Sequence, residues 1–432
     1  MRGAVALLLV GSHGNSPASG SAGPDSGSGW SFSASVAPDL QTRLFGPALG
    51  QGWLGADLAL SVPLGPGRHL WLFGDSYVGD VDRDGGVLCN GAEALSCAMV
   101  PQSVGISSLS SLDAGLNFSW GRDPSTRRPL PMVPVPEALQ PASVRGRHCP
   151  DCSCTPALAG PHQGSCNETS LGNSNCCHTM DYMWLLSALA TPDGSQLVFL
   201  ADIVRDNATR VDLGWCRGTM AVVVEDPRGP PESWRYTMEP VPQTGPFCSD
   251  TNWFAAMAWA APDGEADDIV YVLGVIGMNV KRQVLARVPM ASLLSFDWSA
   301  WEYWCGEAHG GWKKTETCVE TLELDGQTEA TLQWHPNLKL WVIPTAGSAC
   351  WGCASKLYVW TAQHATGPWI RHNVTDFPSF GKGWGFRTAK SHPELADGNE
   401  IIVSVIPVAP GVNREPASAY FPHLWRITVQ RV

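Results

Sequence analysis

Apolar residues in this chain gather in short runs separated by glycine, proline and aspartate, a pattern that predicts many short strands joined by tight turns. The plainest case is the pair of runs 58–64 and 70–73, which flank Gly65-Pro66-Gly67 and predict an antiparallel hairpin. With a three-residue loop, Leu60 falls opposite Leu72 and, at the far end, Asp57 falls opposite Asp75. Directly opposed residues hold their Cβ atoms about 4.5 to 5.5 Å apart, and like charges there destabilise a sheet, so this pair calls for an explanation. A loop one residue longer or shorter would send the two carboxylates to opposite faces. The local alternative is that Asp57 caps a strand entry and Asp75 opens an Asx-turn into Ser76.

The second strand of the hairpin has four later echoes. His69-Leu-Trp-Leu-Phe-Gly74 is followed by Gln196-Leu-Val-Phe-Leu-Ala201, Asp268-Ile-Val-Tyr-Val-Leu-Gly274, Lys339-Leu-Trp-Val-Ile343 and Glu400-Ile-Ile-Val-Ser404, each after a turn signal such as Pro192-Asp-Gly194 or Ala396-Asp-Gly398. With Leu70, Leu197, Ile269, Leu340 and Ile401 as equivalents, the steps are 127, 72, 71 and 61 residues. A Cys/Pro-rich insertion at about 127–175, expected to sit outside the ring as a disulfide-held excursion, accounts for the long first step. Each echo has a preceding strand (181–190, 252–261, 329–334 and 387–392), a following strand, and a fourth strand near a tryptophan (Trp120, Trp234, Trp301, Trp369). The fifth repeat lacks its fourth strand, which residues 30–38 can supply. The expected fold is therefore all-β: a five-bladed β-propeller with four antiparallel strands per blade, the ring closed by an N-terminal strand. A long β-sandwich, or two of them, is the alternative that the regular four-strand period disfavours.

Composition fits this reading: 44% of residues are hydrophobic, only 16% are charged, and 45 Gly, 34 Pro and 20 Trp suit a large core cut into short elements. A formal net charge of -12 argues against nucleic acid or an anionic membrane as partner, since both need basic surface. Met1-Arg2, the apolar stretch 3–10 and small residues through 22 predict a signal peptide, with 23–29 as a flexible linker and 30–432 as a single domain. Fourteen cysteines and the sequons at Asn117, Asn167, Asn207 and Asn373 predict a secreted, disulfide-bonded glycoprotein, expected to be a monomer. In that setting Cys149, Cys152, Cys154, Cys166, Cys176 and Cys177, beside His178, predict disulfides rather than zinc ligands. Cys89 with Cys97, Cys305 with Cys318 and Cys350 with Cys353 are candidate local bridges.

Carboxyl groups roughly 5 to 5.5 Å apart are what a retaining glycosidase uses, one as nucleophile and one as acid/base, so Asp57 and Asp75 are the catalytic candidates. The inner strands of a propeller converge on one funnel, which nominates Asp57, Asp181, Asn252, Glu329, Lys390 and His392. Of these, Asp181 or Glu329 would orient the sugar or stabilise developing positive charge, and Lys390 would hold a carboxylate ionised. Trp253, Trp312, Trp351 and Trp384 are candidates to stack on sugar rings, against a background in which most tryptophans are packing. Asp80, Asp82 and Asp84 have the alternating oxygens of a calcium loop, but Gly91 stands where the last ligand belongs, and a metal-free polar turn is the expectation. No cofactor is required beyond that one candidate structural calcium.

The run Gly52-Trp-Leu-Gly-Ala-Asp57, with Ser61-Val-Pro-Leu64 and Leu70-Trp-Leu-Phe-Gly-Asp75-Ser76, resembles the opening of a bacterial uncharacterised-domain family that includes endo-D-arabinanases. Further matches are Asn252-Trp253, Val284-Leu-Ala-Arg-Val-Pro289, Ser299-Ala-Trp-Glu-Tyr-Trp304, Thr366-Gly-Pro-Trp369 and Ala389-Lys-Ser-His-Pro-Glu-Leu395. The resemblance implies a five-bladed propeller that cleaves furanose-containing glycans, with Asp57 and Asp75 matching the family's paired aspartates. The Cys-rich insertion and the sequons depart from the bacterial pattern. The expectation is thus a secreted retaining glycoside hydrolase acting on arabinan-like glycan; a non-catalytic glycan-binding or adhesive propeller, and a hydrolase of the same fold acting on another sugar, are the rivals.

Overall fold

The computed structural model describes residues 29–46, 48, 51–65, 67–81, 87–88, 98–108, 115–122, 129–136, 181–205, 215–241, 251–259, 268–276, 281–324, 326–347, 354–378, 385–408 and 421–432. These form five antiparallel sheets in a ring, a five-bladed β-propeller. From the axis outward, blade 1 is Leu60–Pro63, Arg68–Phe73, Ser103–Ser108 and Asn117–Ser119, and blade 2 is Asp181–Ala190, Gln196–Arg205, Trp215–Glu225 and Arg235–Pro240. Blade 3 is Thr251–Trp259, Ile269–Ile276, Arg282–Pro289 and Glu302–Trp304, with a fifth strand, Trp312–Lys313, beyond the expected four. Blade 4 is Gln333–His335, Leu340–Ala346, Lys356–Ala362 and Ile370–Asp376. Blade 5 is Gly385–Ser391, Glu400–Val408 and His423–Arg431, completed by Trp30–Val36.

The second strands carry apolar residues on both faces because each is covered by the neighbouring blades: Leu197, Val198, Phe199, Leu200 and Ala201 are all fully buried, as are Val270, Val272 and Leu273. Turn chemistry starts the one in blade 2. Before Gln196, Gly194 adopts a left-handed φ of +67°, and the Asp193 carboxylate accepts hydrogen bonds from Thr191 Oγ1, Ser195 N and Ser195 Oγ, which hold its pKa down to about 2. Ring closure is as the repeat count predicts: Trp30 pairs with Arg431 and Val36 with Trp425. The chain then turns into a helix, Pro38–Phe45, which the strand pattern did not anticipate. Its buried Leu40, Leu44 and Phe45 join the core of Trp53, Trp71 and Phe73, and Gln41 donates to Pro422 O (2.6 Å) while accepting from Leu424 N (2.9 Å).

Two further expectations are corrected. The blade 4 inner strand is Gln333–His335 rather than 329–334, because side chains instead of a ladder satisfy the backbone ahead of it: Gln283 Nε2 donates to Gln327 O (2.7 Å) and Gln327 Nε2 to Glu329 O (3.0 Å). The described beginning of the expected insertion packs into the ring instead of standing outside it. Pro129–Leu130 pairs with Gly121–Arg122, Val133 and Val135 are buried, and Gln102 accepts from Val133 N (2.9 Å) while donating to Met183 O (2.7 Å). The rest of that insertion, the signal-peptide region 1–22 and all of the linker but Gly29 lie outside the described residues, as do Cys89 with Cys97 and Cys350 with Cys353. Cys305 and Cys318 form a disulfide that ties the blade 3 edge hairpin to the segment after it. Among the described residues no helix is long and apolar enough to cross a membrane.

Candidate functional site

The hairpin register is the expected one. Leu60 pairs with Leu72 and Pro63 with His69, and beyond the break Ala56 pairs with Ser76. Between these ladders Asp57 N donates to Asp75 O (3.4 Å), while Asp57 O accepts from both Gly74 N (3.1 Å) and Ala59 N (2.9 Å). The two aspartates therefore meet where the regular ladder is interrupted, as at a bulge, a device that re-aims side chains. Asp57 is fully buried and Asp75 half-buried. The turn holding Asp75 is tied down from the other side: Ser76 Oγ donates to Gly74 O (2.5 Å) and lies 2.7 Å from Ser103 Oγ, which also takes the Trp53 indole N–H (2.9 Å).

The break is strained. Leu58 (φ 68°) and Ala59 (φ 48°) both sit in the left-handed region, and across the seam between blades 1 and 5 so does Thr388 (φ 53°), at a register shift between Arg387 and Ala389. Positive φ at bulky or β-branched residues costs on the order of 1 to 3 kcal/mol each and persists where surrounding structure enforces it. Here the strained segments present the two members of a buried ion pair, Arg387 Nη2 to Asp57 Oδ2 at 3.4 Å. Gly74 completes the arrangement. A Cβ on Gly74 would overlap an Asp57 carboxylate oxygen and lie 3.3 Å from both Asp57 Cγ and Trp184 Nε1, so the carboxylate occupies space that only glycine leaves free.

Glu329 belongs to the same charge cluster from blade 4. Burial first, and the Asp57 charge second, push its pKa up to about 8, with Arg387, Lys390 and Lys281 acting against them. Lys390, also fully buried, is pushed down to about 7 by desolvation, partly offset by Glu329. Its Nζ donates to Leu186 O (2.7 Å) and Ala330 O (2.6 Å), so it straps blade 5 to blades 2 and 4. Lys281, at the entry to the third strand of blade 3, has its pKa lowered by burial and raised by Glu329. In blade 2 Asp202 pairs with Trp184 across the ladder, and burial raises its carboxyl well above the usual range.

A second polar cluster bridges blades 5 and 1. His392 Nδ1 lies 2.5 Å from Ser61 Oγ and 4.0 Å from Glu394 Oε1, and the His392 ring stacks on Trp71 at 4.5 Å. Burial, then the Lys390 cation, pushes His392 down to about 3, and burial raises Glu394 to about 7, partly countered by the Ser61 hydroxyl. Between about pH 3 and pH 7 neither is charged, so their contact is not an ion pair. Nor is it a Ser–His–acid triad, which requires serine and acid on opposite ring nitrogens.

The structure thus gathers Asp57, Glu329 and Lys390 in one cluster, with His392 adjoining it. Asp181 and Asn252 open the inner strands of blades 2 and 3, opposite Arg205 and Val275; their side chains lie outside the described residues. Trp253 departs from its expected role: it is fully buried between Trp301 and Tyr303, leaving no face for a sugar. Trp312 packs at the blade 3 edge under Arg287, 4.4 Å from its ring; Trp351 and Trp384 are outside the described residues. Asp80 starts a two-residue ladder opposite Leu88, and Asp82 and Asp84 are outside the described residues. Arg387, Asp202, Lys281, Glu394, Gly74 and Trp184 were not singled out from sequence. Arg387 had a readable signal, a charged residue in an inner strand predicted to line the axis.

The architecture defines the class, a five-bladed propeller with a buried carboxylate cluster at its axis. A family model described as a domain of unknown function, DUF5005, matches residues 47–116, the stretch that carries Asp57, Gly74 and Asp75. A protein of Bacteroides ovatus proposed to be a hydrolase shares the fold, with a TM-score of 0.58 at 16% identity, covering 90% of this chain and 88% of that one. Weaker likenesses include a family 43 arabinoxylan arabinofuranohydrolase of Bacillus subtilis (TM-score 0.39, 13% identity, covering 90% and 68%). Another is a GH43_1 enzyme of Xanthomonas citri complexed with xylose (TM-score 0.37, 10% identity, covering 89% and 91%). The chain matches no curated protein sequence.

Proposed function

We propose that this chain is a secreted glycoside hydrolase that cleaves a furanosidic, arabinan-like glycan with retention, using Asp57 as nucleophile and Asp75 as acid/base. The observation that carries the reading is the meeting of Asp57 and Asp75 at a strained ladder break, with Arg387 3.4 Å from the Asp57 carboxylate. An ionised nucleophile needs a cation beside it, and the acid needs access to the leaving group; Asp75 is the half-buried member of the pair. Glu329 is a second reading for the proton donor, favoured by a pKa near 8 that keeps it protonated at neutral pH. The Cys305–Cys318 disulfide, the sequons and the N-terminal apolar stretch support secretion, and the reading calls for no cofactor.

The test is a hydrolysis screen on 4-nitrophenyl furanosides and pyranosides and on polymeric glycans, with anomeric configuration followed by NMR. Asp57→Asn and Asp75→Asn should each lose hydrolysis by about 1,000-fold or more. If Glu329→Gln, and not Asp75→Asn, removes the basic limb of the pH profile, Glu329 is the donor. Inversion of configuration would remove the nucleophile role, and glycan binding without turnover would favour the binding-module rival.

A further inference from the structure

We infer that Trp184 is a substrate-binding residue whose indole N–H donates a hydrogen bond to a ring hydroxyl of the sugar held against Asp57. The inference rests on the hydrolase reading and adds to it a donor that the sequence did not disclose. Trp184 lies on the inner strand of blade 2, 5% exposed, with its ring in the apolar core. Its Nε1 points the other way, to within 3.3 Å of the place a Gly74 Cβ would occupy, and the Asp57 carboxylate borders the same place. The indole N–H has no hydrogen-bond partner among the described residues.

Other buried indoles, Trp253 and Trp301 among them, also lack a partner among the described residues. Trp253 and Trp301 meet edge-on and pack with Tyr303 in an aromatic block, whereas Trp53 spends its N–H on Ser103. The Trp184 N–H instead shares its surroundings with the Asp57 carboxylate, and a donor left open beside an acceptor group is the arrangement of a site completed by a ligand. Both oxygens of Glu329, within electrostatic reach of Asp57, are likewise without a partner among the described residues. A polyhydroxylated ring answers this set: one hydroxyl accepts from Trp184 while another donates to a carboxylate. A site built to bond a hydroxyl rejects the analogue lacking it far more strongly than an apolar pocket rejects a lost methylene.

The experiment compares wild type with Trp184→Phe on the glycoside that wild type turns over and on its singly deoxygenated analogues. Trp184→Phe should lose about 10- to 100-fold in kcat/KM on the parent and on every analogue but one, for which the two enzymes should agree within about twofold. Trp184→His, which restores a ring N–H, should recover part of the loss on the parent, and circular dichroism melts identify a variant that fails to fold. An equal loss on all analogues, or no loss on the parent, overturns the inference while leaving the hydrolase reading intact. Absence of wild-type turnover on the whole panel overturns the hydrolase reading instead. The donor is then read by saturation-transfer NMR with methyl α-L-arabinofuranoside, where equal signals for wild type and Trp184→Phe, or none for either, overturn it as well.

Discussion

Replacing Gly74 by alanine tests whether the placement of the Asp57 carboxylate, as distinct from its presence, sets the rate. Gly74 does not have a positive φ, so alanine brings no backbone strain of its own. The added methyl would overlap the Asp57 carboxylate oxygen, and because ordinary contacts begin at 3.4 Å the carboxylate has to retreat. The displacement is about 1 Å in a close-packed interior. Retreat loosens the 3.4 Å contact with Arg387, but both charges stay in place. A misplacement of that size costs about 100-fold in rate, or about 2.7 kcal/mol of transition-state stabilisation. Overpacking one methyl should lower stability by about 1 to 3 kcal/mol, which in a domain this large moves the thermal midpoint by only a few degrees. The assay is kcat and KM on the substrate identified by the glycoside panel, beside a calorimetric melt. Gly74→Ala with wild-type kcat/KM would refute the reasoning, and so would a loss that merely tracks the unfolded fraction.

Two further outcomes follow from the cluster and the blade edge. Glu394 has its pKa raised from 4.5 to about 7 in the fold, so the folded state binds more protons between those values and stability falls as pH rises through the window; the total is on the order of 3 kcal/mol. Glu394→Gln should remove that slope, seen as a difference between variant and wild-type denaturation midpoints that changes from pH 4.5 to pH 7 and is flat below. His392, lowered to about 3, contributes the opposite slope below pH 6.5, and the comparison with wild type cancels it. Cys305→Ser with Cys318→Ser opens a loop with a sequence separation of 13, which the chain-entropy estimate makes worth about 3 kcal/mol, measured by urea denaturation. An unchanged midpoint would mean that the flanking 3-10 turns already hold that segment.

The hairpin register and the ring closure were legible because both follow from short-range rules. Gly65-Pro66-Gly67 sets the pairing of Leu60 with Leu72, and the spacing of Leu197, Ile269, Leu340 and Ile401 counts the blades. The charge cluster was only half legible. Asp57, Glu329, Lys390 and His392 stood out as polar residues in runs expected to be inner strands. Their pairing did not, since the contact of Arg387 with Asp57 joins blades 5 and 1 and no local pattern encodes it. Gly74 read as an ordinary strand-end glycine, and its meaning appears only once the carboxylate beside it is placed. Trp184 was hidden for a related reason: a tryptophan in an apolar run looks like core, and its ring is core, while one nitrogen is not. The side-chain clamps of Gln327 and Gln102 replaced ladder bonds at 327–330 and near Val133, which is why strand boundaries drawn from apolar runs failed there.

Blade 5 takes its outermost strand, Trp30–Val36, from one end of the described chain and its other three from the opposite end. During synthesis, therefore, this strand leaves the ribosome long before its partner, His423–Arg431, is made. Until then it is an unpaired edge able to join another chain, a hazard that grows with the waiting time. Residues 38–45 offer an interim solution: the helix places Leu44 and Phe45 against Trp53, Trp71 and Phe73 of the neighbouring blade 1 region, which is made soon afterwards. Early docking there would keep the waiting strand tethered beside the gap it is to fill, so that closing the ring becomes a short intramolecular search.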